Sequence, residues 1–426
     1  MKLKWHVIIV LVLATSATNL LAQDVHRQQI AQLRQQLAEA QQQGNEKAVL
    51  RLWSQAKSLL GDQAGVPELP DEFRPVPKTV EPLALDECRK GAALYLRQIQ
   101  GKKWWKIGLD PTKTEHLPRE VANVIVGGLA INRAALGDQQ QWLTVAKEAG
   151  DYLLWTQQQG GAGVFPFPHY LGGRGKAFES ATRMFQQAEK AGTLDKMIRN
   201  GWVIDDHGNG GLQFDNGLCG VAILALYETT KDDRYLQSVK AAADWAVHQP
   251  VVPNWNYNSF SVYLLAKAAR ATDDHRYLES AKQKARLGVY PGQLTDGPYK
   301  GRWADPHNAR PNYHYIIVRG IASLIASMDE SDPDRTIAIS SLRLALQARN
   351  PEFVQKGMMS KDAALEALLS VKTEPKLRIP QLESCGTNEA IGVLERAVTA
   401  EYRSGRLPLS PGVWGRFLEY EKSKLK

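Results

Sequence analysis

Thr230-Lys-Asp-Asp-Arg-Tyr-Leu236 recurs as Thr272-Asp-Asp-His-Arg-Tyr-Leu278, a period of 42 residues (272 − 230), and Gly137-Asp-Gln-Gln-Gln-Trp-Leu143 is a looser copy 93 residues before the first (230 − 137). The stretches that follow also align: Ala146-Lys-Glu-Ala-Gly-Asp-Tyr152 lies on Val239-Lys-Ala-Ala-Ala-Asp-Trp245. Each unit reads as a helix, a short charged turn and a second helix. A repeat of this length means stacked helical hairpins, and no strand-like alternation of any length competes with the helical spacing. The fold class expected is all-α.

Between hairpins the connections are long and unlike the turns. They run Gly160 to Arg174, Asp205 to Asn216, Gln249 to Asn258, and finally Pro291-Gly-Gln-Leu-Thr-Asp-Gly-Pro-Tyr-Lys-Gly-Arg-Trp-Ala-Asp-Pro-His-Asn-Ala-Arg-Pro-Asn-Tyr-His-Tyr315. In consecutive antiparallel hairpins these connections all emerge at one end. Four aromatic, Gly/Pro-rich and polar loops are therefore expected on one face, held by a rigid scaffold as binding and catalytic loops commonly are. That asymmetry favours repeated αα-hairpins closing into an (α/α) toroid, or barrel, with a cleft at the loop end.

Upstream, the chain starts Met1-Lys2-Leu3-Lys4, then an apolar run from Val7 to Leu13 and a polar stretch ending Leu20-Leu21-Ala22. This reads as a signal peptide over 1–22, too short in its apolar part to span a bilayer, and implies a periplasmic or secreted protein with no membrane span in its mature form. Residues 23–64 carry helical spacing broken at Gly44-Asn45 and read as an N-terminal helical hairpin. Residues 65–82, with Pro67, Pro70, Pro75, Pro77 and Pro82, read as a linker, and 83–426 as the toroid domain. The formal charge of +8 is spread evenly. It admits a polyanionic partner, but without a dense basic run interleaved with aromatics it excludes a nucleic-acid role. Cys88, Cys219 and Cys385 lack metal-site spacing and are expected to be buried.

The run Leu136-Gly-Asp, Trp142-Leu, Ala149-Gly-Asp-Tyr-Leu-Leu, Gly160-Gly, Phe165-Pro-Phe-Pro resembles the helical-hairpin pattern of pectic acid lyases of polysaccharide lyase family 10. There too a Gly-Asp turn ahead of a helix leads to a Gly-Gly loop rich in aromatics and proline. The resemblance implies an α/α toroid acting on carbohydrate. Gly163-Val164 stands where the lyase loop has Gly-Trp, and none of that family's catalytic or calcium-binding residues carries over to a position here.

The chemistry is read from residue types. β-Elimination of a uronic acid needs a group that neutralises the carboxylate, a base for the C5 proton and an acid for the departing oxygen. His307, Arg310, Tyr313 and His314 supply those types within eight residues and are the candidate catalytic set, with Asp305 beside them. Hydrolysis instead needs two carboxyl groups about the scissile bond, for which Asp205, Asp206, Asp215 and Asp305 are available. Both reactions stay open, as does a non-catalytic glycan-binding protein. Trp303, Arg302, Trp255, Asn256, Tyr257, Asn258, Asp215 and Asn216 are the candidate substrate-binding residues: aromatic rings cover sugar faces, and Asn amides offer donors and acceptors together. The expected partner is a polysaccharide or oligosaccharide, acidic if the lyase reading holds. Asp205-Asp-His-Gly-Asn-Gly210 only half matches a calcium loop, with His207 at one ligand position and Asn216 where a bidentate Glu belongs. No cofactor is otherwise implied.

Overall fold

A computed structural model describes residues 29–67 (except 30, 31, 34 and 38), 71–102, 118–161, 163–165, 190, 209–252 and 254–425. The expected leader, the calcium-like stretch 205–210 up to its last two residues, and most of the loop from Gly160 to Arg174 lie outside them. The chain divides into two compact units, Met1–Asp62 and Gln63–Lys426. In the first, Gly44 at φ +64° breaks the helical run, and the Asn45 side chain accepts from the Ala48 amide to start α1 (Glu46–Leu60), which buries Val49, Leu52 and Trp53.

The second unit is built of helices, and among its described residues the only extended pairing is two isolated bridges. In chain order they are α2 (Leu85–Lys102), α3 (Pro118–Arg133), α4 (Gln139–Gly160), α5 (Asn209–Thr230), α6 (Asp233–His248), α7 (Trp255–Thr272), α8 (His275–Gly288), α9 (Pro311–Ser327), α10 (Pro333–Lys356), α11 (Lys361–Thr373), α12 (Pro380–Glu383), α13 (Thr387–Arg403) and α14 (Pro411–Ser423). One set, α3, α5, α7, α9, α11 and α14, packs each member on the next, and α14 packs on α3. The alternate helices lie against this set: α4 on α3 and α5, α6 on α5 and α7, α8 on α7 and α9, α10 on α9 and α13, and α2 on α14.

The recurrent turn sequence now has a physical account. Asp232 and Asp274 are N-caps whose carboxylates accept from the Arg234 and Arg276 amides, satisfying donors that a helix start leaves unpaired. Three residues after each cap, Tyr235 and Tyr277 are buried, and their hydroxyls reach Asp151 on α4 at 3.4 Å and Asp244 on α6 at 3.0 Å. Those two aspartates are the aligned positions of the repeat. Thus α4 carries the acceptor for the first turn of α6, and α6 the acceptor for the first turn of α8.

The long connection from α8 to α9 is folded inward. Trp303 is fully buried and donates its indole N–H to the Val289 carbonyl at 2.9 Å, and the Gln293 side chain exchanges hydrogen bonds with Ser341 of α10. Gly301 sits at φ +89°, and a Cβ there would lie 2.1 Å from the Leu344 carbonyl oxygen, so only glycine lets the loop lie this close to α10. The Pro-rich stretch belongs to this unit and is tied to it: Arg74 and Met358 exchange backbone hydrogen bonds at 2.9 Å in both directions. Cys88, Cys219 and Cys385 are buried free thiols, and among the described residues no helix is long and apolar enough to cross a membrane.

Candidate functional site

The inward fold of the α8–α9 connection redistributes its side chains. His314 is fully buried in the first turn of α9, places Nε2 3.0 Å from the Ala345 carbonyl oxygen, and meets Trp303 edge-on at 5.1 Å. Burial, with Arg349 nearby, holds its pKa well below the ordinary histidine value, so it is a neutral N–H donor inside the core and not a proton shuttle. Trp303 is sealed behind it. Exposing that ring to a sugar would forfeit on the order of 4 kcal/mol of burial.

The asparagines also turn inward. The Asn258 amide bridges the Val252 and Gly288 carbonyls, Asn256 joins Asn254 and Asn308, and Asn216 donates to the Ala242 carbonyl. All are buried, as are Trp255 and Tyr257. These residues pack and hydrogen-bond within the loop end, where the sequence reading expected them on the wall of a cleft. Arg302 pairs with Glu352 at 3.2 Å and lies 4.9 Å over the Tyr299 ring, so it too ties the loop down.

Both described aspartates of the hydrolytic reading are engaged. Asp215 is fully buried and receives Arg119 Nε at 2.5 Å, while the Arg119 guanidinium covers the Phe214 ring at 3.7 Å. Asp305 caps its own turn, accepting from the His307 amide at 2.6 Å and the Asn308 amide at 3.4 Å. Asp205 and Asp206 lie outside the described residues, and so does His207.

Of His307, Arg310, Tyr313 and His314, Arg310 and Tyr313 are the two that are partly exposed. Arg310 Nη2 lies 2.8 Å from His307 Nδ1, and its guanidinium sits 4.6 Å over the Tyr313 ring. His307 in turn stacks on Tyr313 at 4.1 Å. Because Arg310 only donates, Nδ1 is the acceptor and the imidazole hydrogen is on Nε2. Burial first, and the adjacent Arg310 charge second, lower the His307 pKa to about 3. His307 is therefore a neutral brace that fixes the arginine over the tyrosine.

Arg310, with the Tyr313 ring under its guanidinium, lines a cleft of about 420 Å³ together with Asn312 at the start of α9, Met359 to Asp362 at the start of α11, and Asp71, Glu72 and Arg74. Three of its charges are already used. Asp71 receives Arg349 at 2.6 Å, Lys361 pairs with Glu401, and Asp362 accepts from the Ser410 amide at 2.6 Å. Arg74 and Arg310 remain to face a ligand, with the exposed carboxylate of Glu72 as the one opposing charge among the described lining residues, beside two helix N-termini whose partial positive charge favours anions. The volume falls within the range of small-molecule sites.

Arg74 and the start of α11 were not expected as site residues. The linker reading drew attention away from Arg74. A signal for the other was present in Gly357-Met-Met-Ser360: Gly357, at φ +98°, closes α10 against the Arg74 carbonyl oxygen, and Ser360 follows at φ +41°.

Comparison of the chain with protein-family models, with curated proteins and with solved structures gives no match. Among the described residues no cluster of His, Cys, Asp and Glu has the arrangement of a metal site.

Proposed function

We propose that the protein is an exported carbohydrate-active enzyme that binds a uronate-bearing oligo- or polysaccharide in the cleft between α9 and α11 and cleaves it by β-elimination. The observation that carries this reading is Arg310, held by His307 over Tyr313 at the mouth of the cleft. A substrate carboxylate on Arg310 has its charge neutralised, which acidifies the C5 proton. The Tyr313 oxygen then accepts the C5 proton while its own hydroxyl hydrogen passes to the departing O4, as the C4–O4 bond breaks and the C4–C5 double bond forms. Arg74 binds a neighbouring acidic unit. The resemblance to pectic acid lyases supports the same substrate class.

We propose further that the larger unit closes as an α/α toroid, with α3, α5, α7, α9, α11 and α14 as its inner helices. The support is their sequential packing and the return contact of α14 on α3. The hydrolytic reading is weaker because Asp215 and Asp305 are held in an ion pair and a turn.

Incubation with a panel of polyuronates, followed by the absorbance of the unsaturated uronate, tests the reaction. Arg310→Ala is expected to lower the rate about 100-fold, the scale of losing one electrostatic stabiliser, and Tyr313→Phe to abolish it, with thermal midpoints near that of the parent. Release of reducing ends without that absorbance would assign a hydrolase, and binding without turnover a glycan-binding protein.

A further inference from the structure

A second opening lies at the other end of the same helices, where the short turns emerge. A cavity of about 210 Å³ is enclosed by the later turns of α7, α9 and α11 and by Arg416 of α14. Asn312 and Ser323 line the two openings from one helix, eleven residues and so about 16 Å apart along its axis.

Its charges do not balance. Arg270 is closed onto Glu374 at 3.0 Å. Glu366 is shared by Arg319 and, at 3.5 Å, Arg416. Lys267 forms no ion pair among the described residues; its ammonium is half-buried, 5.6 Å from the Tyr263 ring centroid. Helix C-termini attract cations, but only within the last turn. That accounts for Arg270, not for Lys267 five residues before the end of α7, nor for Arg416 near the start of α14. Three cations therefore converge on one carboxylate and one phenol.

We propose that this cavity is a binding site for a small oxyanion, a phosphate or carboxylate group, held by Lys267 and Arg416 with the Tyr263 hydroxyl as an additional donor. The volume is below that of drug-sized sites and suits a single anionic group. The local field has the required sign. Burial would raise the Tyr263 phenol, yet Lys267, Arg416 and Arg319 outweigh it and hold it below its ordinary value. The site is independent of the loop-end cleft and of the lyase reading.

Lys267 is the residue to change, since no ion pair is broken by its loss. The full chain is titrated with inorganic phosphate and, separately, with galacturonate, against sodium chloride at matched ionic strength, and the thermal midpoint is followed. A ligand that binds the native state raises the midpoint with its concentration. The parent protein is expected to respond to at least one of the two anions beyond the chloride control; in an Arg310→Ala background, which removes the carboxylate ligand of the loop-end cleft, a response is expected to remain, and adding Lys267→Met is expected to weaken its apparent affinity tenfold or more. A response to phosphate alone assigns phosphate chemistry to the site, and a response to galacturonate assigns a sugar carboxylate. No response beyond chloride in the Arg310→Ala protein, or a response there that survives the addition of Lys267→Met, overturns the proposal.

Discussion

His307 and His314 are both withdrawn from proton transfer by burial, and the same burial makes them sensors of acid. Each has its pKa depressed in the folded protein, His307 to about 3, against roughly 6.5 in an unfolded chain. Between those values the unfolded state binds more protons than the native state, so stability rises with pH there and falls on acidification. Above about pH 6.5 neither state is protonated and the effect vanishes. Between pH 7 and pH 5, where carboxylates stay largely ionised, His307 is expected to cost the fold roughly 2 kcal/mol. Thermal midpoints across that interval should drop less steeply in His307→Asn than in the parent; an equal slope would show that the ring is not held neutral. The residue types of the 291–315 stretch were legible in the sequence, but their exposure was not. It is set by partners far along the chain, such as Ala345 for His314 and Val289 for Trp303, and a polar, Gly-rich composition does not reveal that a loop folds inward. Two lone charges in apolar runs did carry a signal: Arg319 within Ile316-Ile-Val-Arg-Gly-Ile-Ala322 and Glu366 within Ala363-Ala-Leu-Glu-Ala-Leu-Leu369. They form a buried ion pair.

The recurring turn of Asp, Arg and Tyr is the element whose energetics divide most cleanly. Asp274 caps α8 through the Arg276 amide, the Arg276 guanidinium lies exposed, and the Tyr277 hydroxyl is bonded to Asp244. Asp274→Ala is expected to lower the denaturant midpoint through the lost cap, and Tyr277→Phe to cost about 1 kcal/mol for the lost hydrogen bond. Arg276→Ala should move the midpoint least, because exposed ion pairs are weak. Denaturant midpoints at constant m check the ordering, and an arginine effect exceeding both others would refute it. This element was readable from sequence because its causes are local: a cap acts within three residues, and the acceptor Asp recurs in register with the repeat. The helix termini around the cleft were less readable, since Arg74 meets Met358 across nearly the whole domain.

For the molecule as a whole, the decisive contacts join distant parts of the chain. The α14 helix packs on α3 across Gly127 and Gly415, where a Cβ on Gly415 would lie 2.3 Å from the Gly127 carbonyl oxygen. Trp414 donates to the Gly91 carbonyl, and the Glu421 carboxylate receives the Leu83 amide. A chain ending at Gly405 is therefore expected to lose its cooperative thermal transition and to bind a hydrophobic dye, since α2 and α3 are left with uncovered apolar faces; a sharp melt near the parent's would contradict this. The period pointed to stacked hairpins and the asymmetry of their connections favoured closure, but that α14 is the helix returning onto α3 was not legible, because no periodic signal links the two. The same contact governs timing. Nearly 300 residues of synthesis separate α3 from the helix that covers it, so the early helices leave the ribosome with no partner for one face and must wait as an incompletely packed chain. A nascent protein that cannot finish folding until its far end arrives is one that an export machinery, or a holding chaperone, has time to capture while still open.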